Sequence, residues 1–348
     1  PLPPLAIPAT LQDSLMARLD RLSPVKEIAQ IGAVIGREFS YELLAKVAPQ
    51  GENELGVDLD QLVSSELVTR RGEPPDAIYT FKNTMVQEVA YESLLKSRRQ
   101  VLHARIGEVL RTDFPAIGEA EPELLARHFT EADLPGPAVE YWLKAGRRAQ
   151  ERSANLEAVI HLQNGLEIVE MIADDDARKR LEIALNLALG TALISTRGLV
   201  EPVDAVFERA RALSEEVDSP SERFIATWGL WHFHNVRGAY DTASGLTGEL
   251  MQVANAEHDS DLLLQGHHAA WTTNLCQGDF LSAREHTAHG REAYDIEAHQ
   301  AHKIVYGGHD PGVCARVFEG LTLWMLGYPD QASESFDSAV ALARRLAH

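Results

Sequence analysis

Three segments in the last third of the chain repeat one local pattern, and that pattern limits the fold more than any other feature. Gly238-Ala239-Tyr240-Asp241-Thr242-Ala243, Gly278-Asp279-Phe280-Leu281-Ser282-Ala283 and Gly327-Tyr328-Pro329-Asp330-Gln331-Ala332 each set an Ala five residues after a Gly. Gly accepts the positive φ that stops a helix at no steric cost. Each segment therefore predicts a turn between paired helices. Successive turn glycines lie 40 and 49 residues apart. A unit recurring at such a period buries its apolar face only against its neighbours, so the units stack into an array with a long concave surface.

The spacing exceeds the roughly 34-residue period of a standard tetratricopeptide repeat. The segments resemble degenerate, enlarged units of that kind, the third lengthened by residues 306–311. Everything from Arg98 onward reads as helix. Val101, Leu102, Ile106, Val109 and Leu110 predict one buried face, and residues 123–132 pair with a helix started by Pro137 across Leu134-Pro135-Gly136. Ala138 and Ala158 open helices of the same kind, PAVEYWLKAG and EAVIHLQNGL. A further pair, 180–194 and 203–215, follows an acidic linker, Asp174-Asp175-Asp176.

The first part of the chain differs. Thr10, with Asp13 as its capping-box partner, predicts a helix burying Leu11, Leu15, Leu19 and Leu22. Ser23-Pro24 starts a second, with Val25, Ile28, Ala29, Gly32 and Ile35 inward and Gly36 as the stop. Ser40 begins a short helix through Val47, and residues 57–65 carry Leu59, Leu62 and Val63 as a third. Strand-like runs 67–71 and 77–81 flank Gly72-Glu73-Pro74-Pro75-Asp76, which is hairpin punctuation. Helices followed by a two-stranded wing predict a winged helix. The stretch YTFKNTMVQEVAYESLLKSRRQVLH, 79–103, then turns strand periodicity into helix periodicity and hands over to the array.

Composition narrows the class. The 348 residues suit two domains, and 32 basic against 52 acidic residues give a net charge of −20. That charge opposes attraction to nucleic acid and to anionic membranes. Cys276 and Cys314 form no CxxC pair, which predicts neither a disulfide framework nor a zinc site and suits a reducing cytoplasm. No apolar run approaches the roughly 18 residues of a membrane span. Pro1-Leu2-Pro3-Pro4-Leu5 lacks the pattern of a secretory signal and predicts a cut end, the chain being a fragment of something longer.

Several segments carry a family resemblance: IPATLQDSLMARLDRL at 7–22, IGAVIGREF at 31–39, LLARHFTEA at 124–132, YWLKAG at 141–146, RSANLEA at 152–158 and YGGHDPGVC at 306–314. Together they resemble the C-terminal region of bacterial class III adenylate/guanylate cyclases with an appended AAA/STAND-type ATPase, a layout shared by soluble adenylyl cyclases. In that family the junction reads Tyr-Thr-Phe-Lys-His, and this chain has Asn83 in the final position. The resemblance implies a mainly α fold, a tetratricopeptide-like α-solenoid over 111–348 preceded by a small winged-helix (α+β) domain over 1–110. It implies a cytoplasmic regulatory and protein-interaction module that relays binding to its own ATPase and cyclase domains. ATP and Mg²⁺ are expected for those absent domains and no cofactor for this chain. The competing readings are an ATP-dependent transcriptional activator of the maltose-regulator type and a free-standing repeat scaffold.

No segment carries a recognisable catalytic apparatus. Gly32-Ala33-Val34-Ile35-Gly36-Arg37-Glu38 lacks the Lys and hydroxyl of a phosphate loop and predicts a helix stop, so the chain alone is expected not to bind ATP tightly. Lys96, Arg98, Arg99 and Arg105 form the densest basic patch and read as a solvated face or as a dock for the ATPase core. Eight of the 14 histidines fall between His258 and His309, including His267-His268, His286-x-x-His289 and His299-x-x-His302, but no His-Glu-x-x-His pattern accompanies them. Glu215-Glu216 has no partnered base. Counting back ten, six and three residues from each turn glycine, as in standard repeats, gives the inner stripe. It contains Trp228, His232 and Asn235, then His268, Thr272 and Leu275, then Val317, Leu321 and Trp324. Trp228, His232, Asn235, His268, Thr272 and Trp324 are thus the candidate partner-binding residues. The bulky Trp231 and Trp271, where standard repeats have small residues, leave core packing of the stripe as the alternative.

Overall fold

The computed structural model describes residues 15–17, 19, 25–199, 201–299 and 302–346. The helix starts predicted at Thr10 and at Ser23-Pro24 lie outside the described residues. The chain is mainly α-helical and divides into two compact units, one reaching Tyr141 and the other beginning at Trp142.

The first unit opens with α1 (Lys26–Ile35), β1 (Glu38–Ser40), α2 (Tyr41–Val47), α3 (Glu52–Ser64), β2 (Val68–Arg71) and β3 (Ile78–Phe81). Ser40 caps α2, its side chain accepting from the Leu43 amide. The three strands form an antiparallel sheet in the order β1-β3-β2. β1 did not register in the sequence because three residues are too few to show alternation. Its Phe39 stacks on Tyr79 at 5.7 Å and lies against Gly32 of α1, where a Cβ would stand 2.8 Å from the ring. α3 starts ahead of the predicted residue 57, since Leu55 extends the Leu59 and Leu62 stripe by one turn.

α4 (Thr84–Glu92) begins at Asn83, whose side chain accepts from the Met85 amide at 2.9 Å. Then come α5 (Lys96–Asp113), α6 (Pro115–Ala120) and α7 (Pro122–Glu131). On α5 the buried residues are Leu102, His103, Ile106, Gly107 and Leu110, whereas Val101, predicted as core, is 57% exposed. His103 takes the inward position because its ring finds buried partners, Tyr91 Oη at 3.1 Å and His128 Nδ1 at 2.9 Å. The basic patch is engaged locally: Arg98 pairs with Glu27, Arg99 lies over the Tyr91 ring, and Arg105 donates to the Lys46 carbonyl.

α8 (Pro135–Glu151), α9 (Asn155–Ile168) and α10 (Asp175–Arg197) follow. The Asp174-Asp175-Asp176 run, predicted as a linker, is the start of α10. Asp174 accepts from the Asp176 and Ala177 amides, and the next two carboxylates sit in the first turn, where the helix dipole favours them. The array continues through α11 (Val203–Glu216), α12 (Pro220–Val236), α13 (Tyr240–Glu257), α14 (Ser260–Gln277), α15 (Phe280–Ala293), α16 (His302–Val305), α17 (Pro311–Met325) and α18 (Pro329–Arg345). From α10 onward each long helix packs on the next long one, the short α16 packing on α10, and the first helix of each pair also packs on the first of the following pair: α10 on α12, α12 on α14, α14 on α17. This is a tetratricopeptide-like solenoid. Gly238, Gly278 and Gly327 all hold positive φ, at 77°, 84° and 87°. Large side chains are seated against bare backbone: a Cβ on Gly290 would lie 2.2 Å from the Trp271 ring. Among the described residues no helix is long and apolar enough to cross a membrane.

Candidate functional site

The inner stripe is set by α12 and α14, whose aromatic and polar residues recur at one-turn spacing on the faces turned toward each other. Trp228 and Trp231 of α12 and His268 and Trp271 of α14 are all at most 3% exposed. Of the predicted stripe, Trp228, Asn235, His268 and Thr272 are buried and His232 is half-buried, while Trp324 on α17 is 62% exposed. Trp228 meets His232 at 5.1 Å, Trp231 at 5.2 Å and His268 at 5.7 Å between ring centroids. The bulky Trp271 is seated against the bare backbone of Gly290 on α15.

What covers the stripe is the chain itself. The segment from α16 to the start of α17, which lengthens the third repeat, folds over α12 and α14. Tyr306 meets Trp228 edge-on at 5.3 Å, and His309 lies 5.0 Å from His268. Gly307 and Gly308, at φ 76° and 85°, turn the backbone so that Gly307 rests against His232 and Trp228. Asp310 ends the segment by capping α17 through the Val313 amide and accepting from Tyr294 Oη at 2.9 Å. The sequence showed the insertion's length but not its destination. The signal lay in Tyr306-Gly307-Gly308-His309, two flexible residues between two side chains that pack on aromatics.

The stripe is also polar in an unusual way. Trp228 Nε1, His232 Nδ1, Asn235 Oδ1, Trp271 Nε1 and Thr272 Oγ1 are buried with no hydrogen-bond partner in the protein, whereas Trp231 Nε1 donates to Thr273 Oγ1 at 2.8 Å. Each unpartnered buried group costs about 1–3 kcal/mol unless something outside the protein chain meets it. Burial, with His309 nearby, pushes the His232 imidazole down to about 4 and the His268 imidazole well below its ordinary value. Both rings are neutral near pH 7, and burial raises the Cys314 thiol to about 12. A hydrogen-bonded chain runs outward from His268. Its Nδ1 meets Gln265 Oε1 at 3.2 Å, Gln265 Nε2 meets His302 Nδ1 at 2.9 Å, and His302 and His299 both face the half-exposed Asp261 carboxylate.

A second feature is exposed to solvent. Around Trp324, the side chains of Leu321, Met325 and Tyr328 are also exposed, an apolar patch on the α17–α18 pair. Arg284 lies over the Tyr328 ring at 5.6 Å.

No family model matches the chain. It is 28% identical to an uncharacterised protein of Rhizobium meliloti over 98% of its own length, and it spans 33% of that protein. Among solved structures it is similar to BtubC of P. vanneervenii, at 13% identity and TM-score 0.49, covering 73% of this chain and 92% of that one. It is also similar to a Signal Transduction ATPase with Numerous Domains protein with a tetratricopeptide repeat sensor from Pyrococcus horikoshii. That match has 11% identity and TM-score 0.35, and covers 93% of this chain and 64% of that one.

Proposed function

We propose that this chain is the sensing and protein-interaction module of a multidomain ATP-dependent signalling protein, most like a bacterial nucleotidyl cyclase with an appended ATPase. The observation that carries the interaction role is the exposed Trp324, with Leu321, Met325 and Tyr328 around it, on a stacked helical array. Exposed aromatics grouped in this way are typical anchors of protein recognition. The stripe on α12 and α14 is closed by the chain's own insertion, which favours the exposed patch around Trp324 as the surface that meets the partner. Two observations support a multidomain parent: the family resemblance of the sequence, and a relative about three times as long as the matched region. The helix–strand–helix–helix–strand–strand order at the start of the first unit supports the winged-helix reading of that part. In this reading the winged helix relays binding at the array to the ATPase core, and the acidic net charge of −20 disfavours nucleic acid as the partner. The test is capture of the ATPase and cyclase portion of the parent by this chain, measured by calorimetry for wild type and Trp324→Ala. Saturable binding weakened at least about tenfold by the substitution, with melting unchanged, is the expected result. Equal binding by both proteins, or none by either, would reject the reading.

A further inference from the structure

We propose that His268, His309 and Cys314 form a zinc-binding site inside the repeat array. This goes beyond the interaction role and stands without it. The ligand atoms of the three side chains, two imidazole nitrogens and a thiol sulfur, lie within 4.8 Å of one another. His309 Nε2 is 3.4 Å from His268 Nε2, and Cys314 Sγ is 3.3 Å from the same nitrogen. Around a tetrahedral Zn²⁺, with bonds of about 2.0–2.1 Å to nitrogen and about 2.3 Å to sulfur, neighbouring ligand atoms stand about 3.4 Å apart. Two of the three separations therefore already match those that an ion at the centre requires, and the third lies within 4.8 Å.

The hydrogen bonds on the far side of each ring make the same point. His268 Nδ1 faces Gln265 Oε1, and His309 Nδ1 faces the Gly307 carbonyl at 3.4 Å, so each Nδ1 carries the proton and donates. Each Nε2 is then the unprotonated ring nitrogen, the form that ligates a metal, and the two stand 3.4 Å apart. Gln265 is itself oriented by donating to His302 Nδ1, which leaves the His302 Nε2 proton for Asp261. Carboxylate, imidazole and amide thus hold His268 in one tautomer, the outer support that metal-bound histidines characteristically have.

A second group, Asp261, His299 and His302, also converges. Its members are occupied with each other, however: His299 Nε2 donates to Asp261 at 3.1 Å while its Nδ1 accepts from the Asp295 amide. It serves the first group as support. Three protein ligands leave a fourth tetrahedral position for water. On binding, the Cys314 thiol becomes a thiolate, its proton passing to solvent. The bound ion fixes the 306–314 segment onto α14.

The test uses the full chain, reduced and stripped with chelator, then titrated with Zn²⁺ and with Co²⁺. One equivalent is expected to bind, with a sulfur-to-cobalt charge-transfer band, and Cys314→Ser and His309→Gln should each abolish the band while circular dichroism shows the helices retained. His286→Gln, which alters the separate His267–His286 contact, should leave the band unchanged. Gln265→Ala should weaken binding by about 10- to 100-fold. No bound metal in the wild type would overturn the proposal. So would binding that survives both ligand substitutions, or that is lost only in His286→Gln, which would place the ion elsewhere.

Discussion

Gly278 ends α14 at φ 84° with open space around its Cβ position, so backbone conformation alone decides what the site tolerates. Gly278→Val is expected to destabilise the chain by about 1 kcal/mol or more, read from urea denaturation, because a β-branched residue pays for the left-handed region. A midpoint equal to the parent's would refute the turn assignment. His128 supplies a second test. Burial holds its imidazole down to about 3 and that of its partner His103 down to about 4, with Arg99 and Arg127 adding repulsion and Tyr91 Oη on the other His103 nitrogen. Unfolded, both titrate near 6.5. Between those values the unfolded chain binds protons that the folded chain does not, so their contribution is complete above about pH 6.5 and is lost as pH falls through about 4 for His103 and about 3 for His128. Melting should be lower at pH 5 than at pH 7.5, and His128→Asn should flatten that slope; an unchanged slope would contradict the pairing. Some of this was legible in the sequence. The turn glycines followed from spacing, but the inward turn of His103 in place of Val101 did not, since hydropathy cannot register a ring whose partners come from other helices.

At the scale of elements, the paired helices are held close by size exchange between facing positions. Trp271 of α14 lies against Gly290 of α15, and Phe207 of α11 lies against both Gly190 and Gly229. The repeat register revealed Trp271 as out of place, but its compensation is about twenty residues away, and a single chain gives no sign that the two positions are linked. Gly290→Val should push α14 from α15 and cost about 1–3 kcal/mol, seen as a lower denaturation midpoint. Parent-like stability would show that the pair has room to spare. The start of α2 was legible from its cap, Ser40. They were misread where one signal has two uses: the aspartates at 174–176 look like a solvated linker and act as a helix start. β1 was missed because its identity comes from pairing with β3, a contact forty residues along the chain.

For the whole molecule, the solenoid was readable from three glycines, whereas the state of its inner stripe was not. Of the residues counted back from the turns, Trp228, His232 and His268 meet one another, and Asn235 and Thr272 are buried. It did not reveal that residues 302–310 return to cover them, because an insertion's length says nothing of where it lands. The same covering divides the six candidate residues into an interior group and the exposed Trp324. The central claim is that the stripe is interior and that recognition lies outside, and thermal melting of Trp228→Ala beside Trp324→Ala tests it most directly. Removing a buried Trp costs about 3–5 kcal/mol, so Trp228→Ala should melt many degrees below the parent while Trp324→Ala melts with it. Parent-like melting of Trp228→Ala, or a comparable loss in Trp324→Ala, would contradict the account.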